Sequence, residues 1–205
     1  MSNKLNVLVL NASLKHAPAV SNTEELTQQV IDYMAELADI SHESVRLADK
    51  KIPVGLGFKE SDDDEWPMIA KKIQEADIVL FATPIWWGNR SSLMQRVIER
   101  MDAFDEEVIK SGRSSLLNKV AGIIITGSED GAQAVMAGIM EVLSFMNFTL
   151  PPGCCVYWVG EVGMDPATDT ERRRANKSIL HTAKNMAQGL VHYALVLKEK
   201  PLTLK

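Results

Sequence analysis

The sequence predicts an α/β fold: a three-layer, doubly wound domain around a five-stranded parallel sheet. Three observations carry that expectation. The apolar runs are short and continuous rather than alternating, as strands buried on both faces require. Segments with apolar residues at three- to four-residue spacing lie between them, the signature of amphipathic helices. The two kinds of segment alternate along the chain, which implies right-handed crossovers and helices on both sides of the sheet. With 205 residues in all, one domain spanning 1–205 is expected.

The elements follow in order. "LNVLVL" (5–10) is the first strand. Residues 23–38 carry Leu26, Val30, Tyr33, Met34 and Leu37 on one helical face. "ESVRL" (43–47) alternates and suits a strand nearer an edge. The segment 48–67, "ADKKIPVGLGFKESDDDEWP", has weak pattern and exceeds an ordinary loop, so it reads as a functional or mobile insertion. Its end, "SDDDEWP", reads as a helix start with acids in the first turn and Pro67 near the beginning. A helix over 66–75 leads into the strand "DIVLFA" (77–82). A helix over 91–104 carries Leu93, Val97, Met101 and Phe104. "VAGIIIT" (120–126) is the fourth strand, residues 131–146 the next helix and "CVYWV" (155–159) the fifth strand. One long helix over 170–197 closes the chain, with "ERRRANK" (171–177) as a basic first turn that opposes the helix dipole.

Composition removes several function classes. Hydrophobic residues make up 46% and charged residues 24%, an ordinary balance for a packed core. A net charge of −5 argues against non-specific nucleic-acid binding. No apolar stretch reaches the roughly 18–20 residues that span a bilayer. "MSNKLNVLVLNAS" is too briefly apolar for a signal peptide, so no membrane association and a cytoplasmic location are expected. Cys154 and Cys155 are adjacent, a pairing that would strain a disulfide, and read as reduced thiols facing opposite sides of a strand. The acid run 61–65 needs no metal.

In an open parallel sheet, ligands bind at the carboxyl ends of the strands, and three of those ends carry unusual chemistry. After strand one, "NASLKHAPAVSNTEEL" (11–26) offers Ser13, Ser21, Asn22 and Thr23 and runs into a helix. Free N–H groups and hydroxyls there suit a phosphate, and equally suit simple capping by Ser21 or Asn22. The segment contains no glycine, so it is neither a Walker A loop nor a dinucleotide fingerprint. After the third strand, "TPIWWGNRSS" (83–92) sets Pro84, Ile85, Trp86, Trp87, Gly88 and Asn89 at the sheet edge, with two indoles for stacking on a flat ligand or packing on a partner. Asn89 or Ser91 would cap the next helix. After the fourth strand, "TGSEDGAQA" (126–134) brings Gly127, Ser128, Glu129, Asp130 and Gly131, with Ser128 or Asp130 as a candidate cap. Together the three loops describe a site for a flat heterocycle carrying one phosphate.

On "LNASLKHAPAVSNTEEL", "EADIVLFATPIWWGNRSSLMQRVIERMD" and "IIITGSEDGAQ", the chain resembles the flavodoxin-like NAD(P)H-dependent FMN reductases, also called flavodoxin-family oxidoreductases. The resemblance covers most of residues 5–146. It implies sheet order 2-1-3-4-5 and an FMN across the ends of strands one, three and four. Its phosphate would lie on Ser13, Ser21, Asn22 and Thr23. The ring would lie against Pro84, Ile85, Trp86, Trp87, Gly88 and Asn89, with Gly127 to Gly131 over the pyrimidine end. The resemblance does not choose between the two tryptophans. NADH or NADPH would donate a hydride, and a small acceptor such as a quinone or free flavin would receive the electrons. No side chain is nominated as catalytic. Two departures stand out: Asn11-Ala12-Ser13 with Lys15 replaces the family's Gly-Ser and frequent Arg, and the second-strand insertion has no cysteine for an iron–sulfur cluster. An electron carrier and a flavin-free scaffold are the competing classes; the mild net charge favours the enzyme over the carrier. A homodimer or homotetramer is expected, with the tryptophan pair, Met94, Met101 and "LVHYALVL" as surfaces for a partner subunit.

Overall fold

The structure, a computed structural model, describes residues 4–203. Five parallel strands form the sheet: β1 (Leu5–Asn11), β2 (Ile40–Arg46), β3 (Ile78–Trp86), β5 (Val120–Gly127) and β6 (Cys155–Val159). Their order is β2-β1-β3-β5-β6. This is the expected 2-1-3-4-5 arrangement once β4 (Asn89–Arg90) is set aside, a two-residue strand that folds back antiparallel on β3.

Both sheet faces are covered, which explains the unbroken apolar runs. Along β1, Leu8 and Leu10 enter one core while Val7 and Val9 enter the other. The first core is closed by α2 (Trp66–Glu75), α3 (Ser92–Arg100), α4 (Asp102–Ser111) and α5 (Ala132–Phe145), through Trp66, Ile73, Val97, Phe104 and Ile139. The second is closed by α1 (Asn22–Leu37) and α7 (Lys177–Glu199), through Leu26, Val30, Met34, Met186 and Leu190. Each such side chain contributes about 1.5–3 kcal/mol by leaving water. Helix α7 lies tightly on β5: a Cβ at Gly122 would sit 2.6 Å from Met186 Cε. The edge strand β2 is half exposed, in keeping with its alternating pattern.

Several local expectations change. The helix expected over 91–104 is two, broken at Met101, and the long last helix is also two, α6 (Pro166–Ala175) and α7. Asn176 makes the second break: its Oδ1 accepts from the N–H groups of Ser178 and Ile179 and so starts a new helix. The arginines 172–174 therefore occupy the last turn of α6, where they complement the dipole rather than oppose it. The acids of 61–65 precede α2 instead of filling its first turn. Met94 and Met101 are fully buried in the first core, so neither offers a partner surface. Of "LVHYALVL", Leu190, Val191 and Ala194 face the second core, leaving Tyr193 and Val196 exposed. Cys154 and Cys155 are free thiols. Among the described residues no helix is long and apolar enough to cross a membrane.

Candidate functional site

The three loops meet at the carboxyl edge of the sheet and are held to one another. Ser91, wholly buried, caps α3 by accepting from Met94 N–H at 3.3 Å and donates to Ala12 O at 2.8 Å, so the second loop is tied to the first. Ser91 N–H in turn donates to Thr83 Oγ1 at 3.1 Å. Gly127 lies against Ile85, where a Cβ would stand 2.9 Å from Ile85 Cβ. Thr23 and Thr126 share a hydroxyl hydrogen bond of 2.8 Å, which joins the start of α1 to the end of β5.

These contacts enclose a cleft of about 240 Å³. Ser13, Ser21, Asn22 and Thr23 line one end. Pro84, Ile85 and Trp86 form one wall, and Gly127, Ser128 and Glu129 another. Ser21 is the N-cap of α1 and accepts from Glu24 N–H at 3.4 Å, so the capping role and a place in the cleft fall to the same residue. Asn22 Oδ1 is buried and without a hydrogen-bond partner. A buried polar atom in that state costs about 1–3 kcal/mol unless something completes it.

The other expected site residues stand outside the cleft and shape it. Trp87 and Gly88 form the two-residue turn between β3 and β4, with φ of +51° and +74°. Positive φ at both positions is the type I′ hairpin geometry, which favours Asn-Gly rather than a bulky residue first. Asn89 Nδ2 donates to Trp87 O at 3.2 Å and steadies the turn. The Trp87 indole is 85% exposed, against 48% for Trp86, so Trp86 alone of the pair lines the cleft. Gly131, with φ of +123°, caps α5 without a side chain, where Ser128 or Asp130 was expected, and lets the Gly88 backbone approach.

A fourth loop completes the cleft, and sequence reasoning missed it. Gly160, Glu161, Gly163 and Met164, between β6 and α6, line the cleft together with Asp169 of α6. Lys15 and Leu14 of the first loop do so too. Asp165-Pro166, a capping residue followed by proline, was the available signal for a helix start there: Asp165 Oδ1 accepts from Ala167 N–H at 2.9 Å.

The profile of the family described as NADPH-dependent FMN reductase matches residues 5–161. The chain belongs to that family. It is 30% identical to the 8-demethyl-8-aminoriboflavin-5′-phosphate synthase of Streptomyces davaonensis, over 97% of this chain and 80% of that protein. A crystal structure of RosB with bound 8-demethyl-8-formylriboflavin-5′-phosphate superposes with a TM-score of 0.82 at 29% identity, over 98% of this chain and 82% of that one. The chain is also 31% identical to the divalent metal cation transporter MntH of Mycobacterium bovis, over 80% of this chain but only 24% of that protein.

In this FMN reductase-family chain the second-strand insertion is anchored by one buried ion pair. Arg100 and Asp64 are both fully buried, with Arg100 Nη2 2.8 Å from Asp64 Oδ2. Arg100 also donates to Pro53 O at 3.0 Å and Gly57 O at 2.9 Å. Burial opposes ionisation of Asp64, but the Arg100 guanidinium and the N–H groups of Trp66 and Glu60 outweigh it and hold the carboxyl below its ordinary value. Asp49 joins the insertion to the first loop through His16, 2.8 Å away, and the same histidine hydrogen bond holds its carboxyl low.

Proposed function

We propose that the protein binds FMN in this cleft and passes a hydride from NADH or NADPH to a small electron acceptor such as a quinone or free flavin. The carrying observation is the cleft itself. The N-terminus of α1, with its hydroxyls, lies at one end, and the Pro84–Trp86 wall stands beside it at the ends of β1, β3 and β5. Free N–H groups and the positive end of the dipole favour a phosphate there. The unpartnered end of the Asn22 side-chain amide fits such a group: with the amide flipped, its nitrogen stands at that buried position and donates to a phosphate oxygen. Bound FMN would supply the hydride chemistry.

The chain's own residues do the rest. Ser13, Ser21, Asn22, Thr23 and the nearby backbone amides hold the phosphate. Pro84, Ile85 and Trp86 flank the ring, while the Trp87–Gly88 turn and Asn89 hold that wall in place. Gly127, Ser128 and Glu129, supported by Asp130 and Gly131, border the pyrimidine end. No side chain is assigned a proton-transfer or nucleophilic role. The exposed Leu14, Val20, Trp87 and Val162 on these loops support a partner subunit bordering the site. Titration of the purified protein with FMN, followed by tryptophan fluorescence and by the flavin absorbance band, tests the binding. Oxidation of NADH or NADPH with an added quinone tests the turnover. Binding without turnover would return the carrier reading, and no binding the scaffold reading.

One observation favours a second reading, in which the flavin phosphate is the substrate rather than the resident cofactor. The likeness to the aminoriboflavin-phosphate synthase continues through α6 and α7, beyond the span of the family profile, and α6 contributes to the cleft. Mass analysis of flavin released after incubation with candidate amino donors separates the two.

A further inference from the structure

Helix α6 places a built carboxylate in the cleft. Asp169 lines it and is only 5% exposed. Its Oδ1 accepts from Trp158 Nε1 of β6 at 2.9 Å, which fixes the carboxylate plane. Its Oδ2 stands 3.7 Å from Arg173 Nη1, near enough for charge but too far for a hydrogen bond. Arg173 is fully buried, its Nε and Nη1 have no hydrogen-bond partner, and burial pulls its pKa below the ordinary value against the opposing pull of Asp169. The loop is cut to fit this arrangement: a Cβ on Gly160 would lie 2.4 Å from Asp169 Oδ1.

A carboxylate offers about four acceptor positions. Among the described residues one side-chain hydrogen bond reaches this one. The remaining acceptor capacity calls for donors from whatever fills the cleft. A phosphate dianion has none, and an isoalloxazine ring has a single N–H, at its pyrimidine end. Asp169 belongs to the helix beside the start of α1, where Arg174 pairs with Glu25 at 3.0 Å, and it shares the cleft with Ser21–Thr23 and with Gly127–Glu129. The donors between a phosphate and a ring in that geometry are the hydroxyls of a polyol linker.

We propose that Asp169 accepts hydrogen bonds from the ribityl hydroxyls of the bound flavin, with Trp158 and Arg173 as its positioning residues; this rests on the flavin-binding reading above. Buried Arg173 offsets the repulsion that Asp169 would exert on the phosphate. The residue thus selects for the sugar-alcohol chain rather than for the ring, and it lies outside the span of the family profile.

The test compares dissociation constants of FMN, riboflavin and lumiflavin, whose ring lacks the ribityl chain, for the wild type, Asp169→Asn and Trp158→Phe. The expected result for Asp169→Asn is a rise of about tenfold or more for FMN and riboflavin, the loss of a hydrogen bond to a charged group, with lumiflavin unchanged. Trp158→Phe, which keeps the Asp169–Arg173 pair and decides the matter if Asp169→Asn does not fold, is expected to weaken the two ribityl ligands about threefold and leave lumiflavin alone. Equal losses for all three ligands, no change, or tighter FMN binding would each overturn the proposal. A wild type that binds none of the three would overturn the flavin reading itself.

Discussion

Replacing Gly131 by alanine separates the strain of one backbone position from the seating of the tryptophan hairpin. At φ +123° and ψ −1° Gly131 occupies a region that side-chain-bearing residues rarely enter, at a cost of about 1–3 kcal/mol. The new Cβ would lie 2.7 Å from Gly88 Cα and 2.9 Å from Gly88 O, both backbone atoms. Carbon atoms pack at about 3.5–4.0 Å, so the hairpin would have to retreat by about 1 Å. Forcing that movement adds about 1–3 kcal/mol. Gly112→Ala is the control, because Gly112 has φ +69° at the end of α4 and nothing within 4 Å of its would-be Cβ. It should cost only the left-handed strain of about 1–2 kcal/mol. For a domain of this size each kcal/mol lowers Tm by about 2–4 °C. Urea midpoints at constant slope provide the free energies, and FMN titration provides the second axis. Gly131→Ala should lose more stability than Gly112→Ala and should alone weaken FMN binding. Equal losses for the two variants would refute the tight contact between the third loop and the hairpin. A destabilised Gly131→Ala with unchanged FMN affinity would refute the link from hairpin to ligand.

Three further outcomes are expected. Asp64→Asn leaves Arg100 buried without its counter-charge and should cost about 3–5 kcal/mol near neutral pH. Because the folded-state pKa of Asp64 is depressed, its stabilisation is present above the unfolded value near about pH 4 and is lost as pH falls below it, so the urea midpoint of the variant should fall less steeply in acid than that of the wild type. Burial pushes the Cys155 thiol up to about 12, with Cys154 adding to it, and raises Cys154 as well; a thiol reagent at neutral pH should label neither in the folded protein and both in denaturant, and fast labelling of the native state would contradict the burial. Trp87→Asn should raise Tm by a few degrees, since asparagine suits the first position of a type I′ turn, at a gain of about 1 kcal/mol. FMN quenching should survive in that variant and drop in Trp86→Ala.

What was legible in advance depended on which physical signal each element leaves in the chain. Doubly buried strands leave unbroken apolar runs, which disclosed four of the main strands; the alternating edge strand left a fainter pattern, and the order of the five came from the family resemblance. The first three loops announced themselves by composition, and Ser13, Ser21–Thr23, Pro84–Trp86 and Gly127–Glu129 do meet in one cleft. Helix breaks without proline or glycine leave fainter marks. Neither Met101 nor Asn176 is such a residue, and only the capping capacity of Asn176 hints at the second break. The turn that follows Trp86 in the cleft and leaves Trp87 in solvent is a matter of positive φ at Trp87 and Gly88. Adjacent indoles in a sequence do not disclose it.

The anchoring of the insertion shows a related limit. Asp64 read as one of several acids at a helix start, yet it is the member that turns inward to Arg100, while its neighbour Asp63 stays at the surface with Lys51. Two fully buried charges cost several kcal/mol each in lost hydration, and here the carbonyls of Pro53 and Gly57 and the N–H groups of Glu60 and Trp66 help to replace that water. All four belong to the insertion, so the ion pair orders the segment from within rather than merely attaching it. The same logic recurs on the far side of the cleft. There Arg173 and Asp169 are also buried, but Arg173 keeps two unpartnered nitrogens and the carboxylate faces the cleft. In the first pair the carboxylate is bonded entirely within its own chain and only Arg100 Nε lacks a partner, whereas in the second the carboxylate keeps acceptor capacity toward the cleft. On the ribityl-binding proposal, that difference rather than burial alone separates a structural pair from one that serves the site.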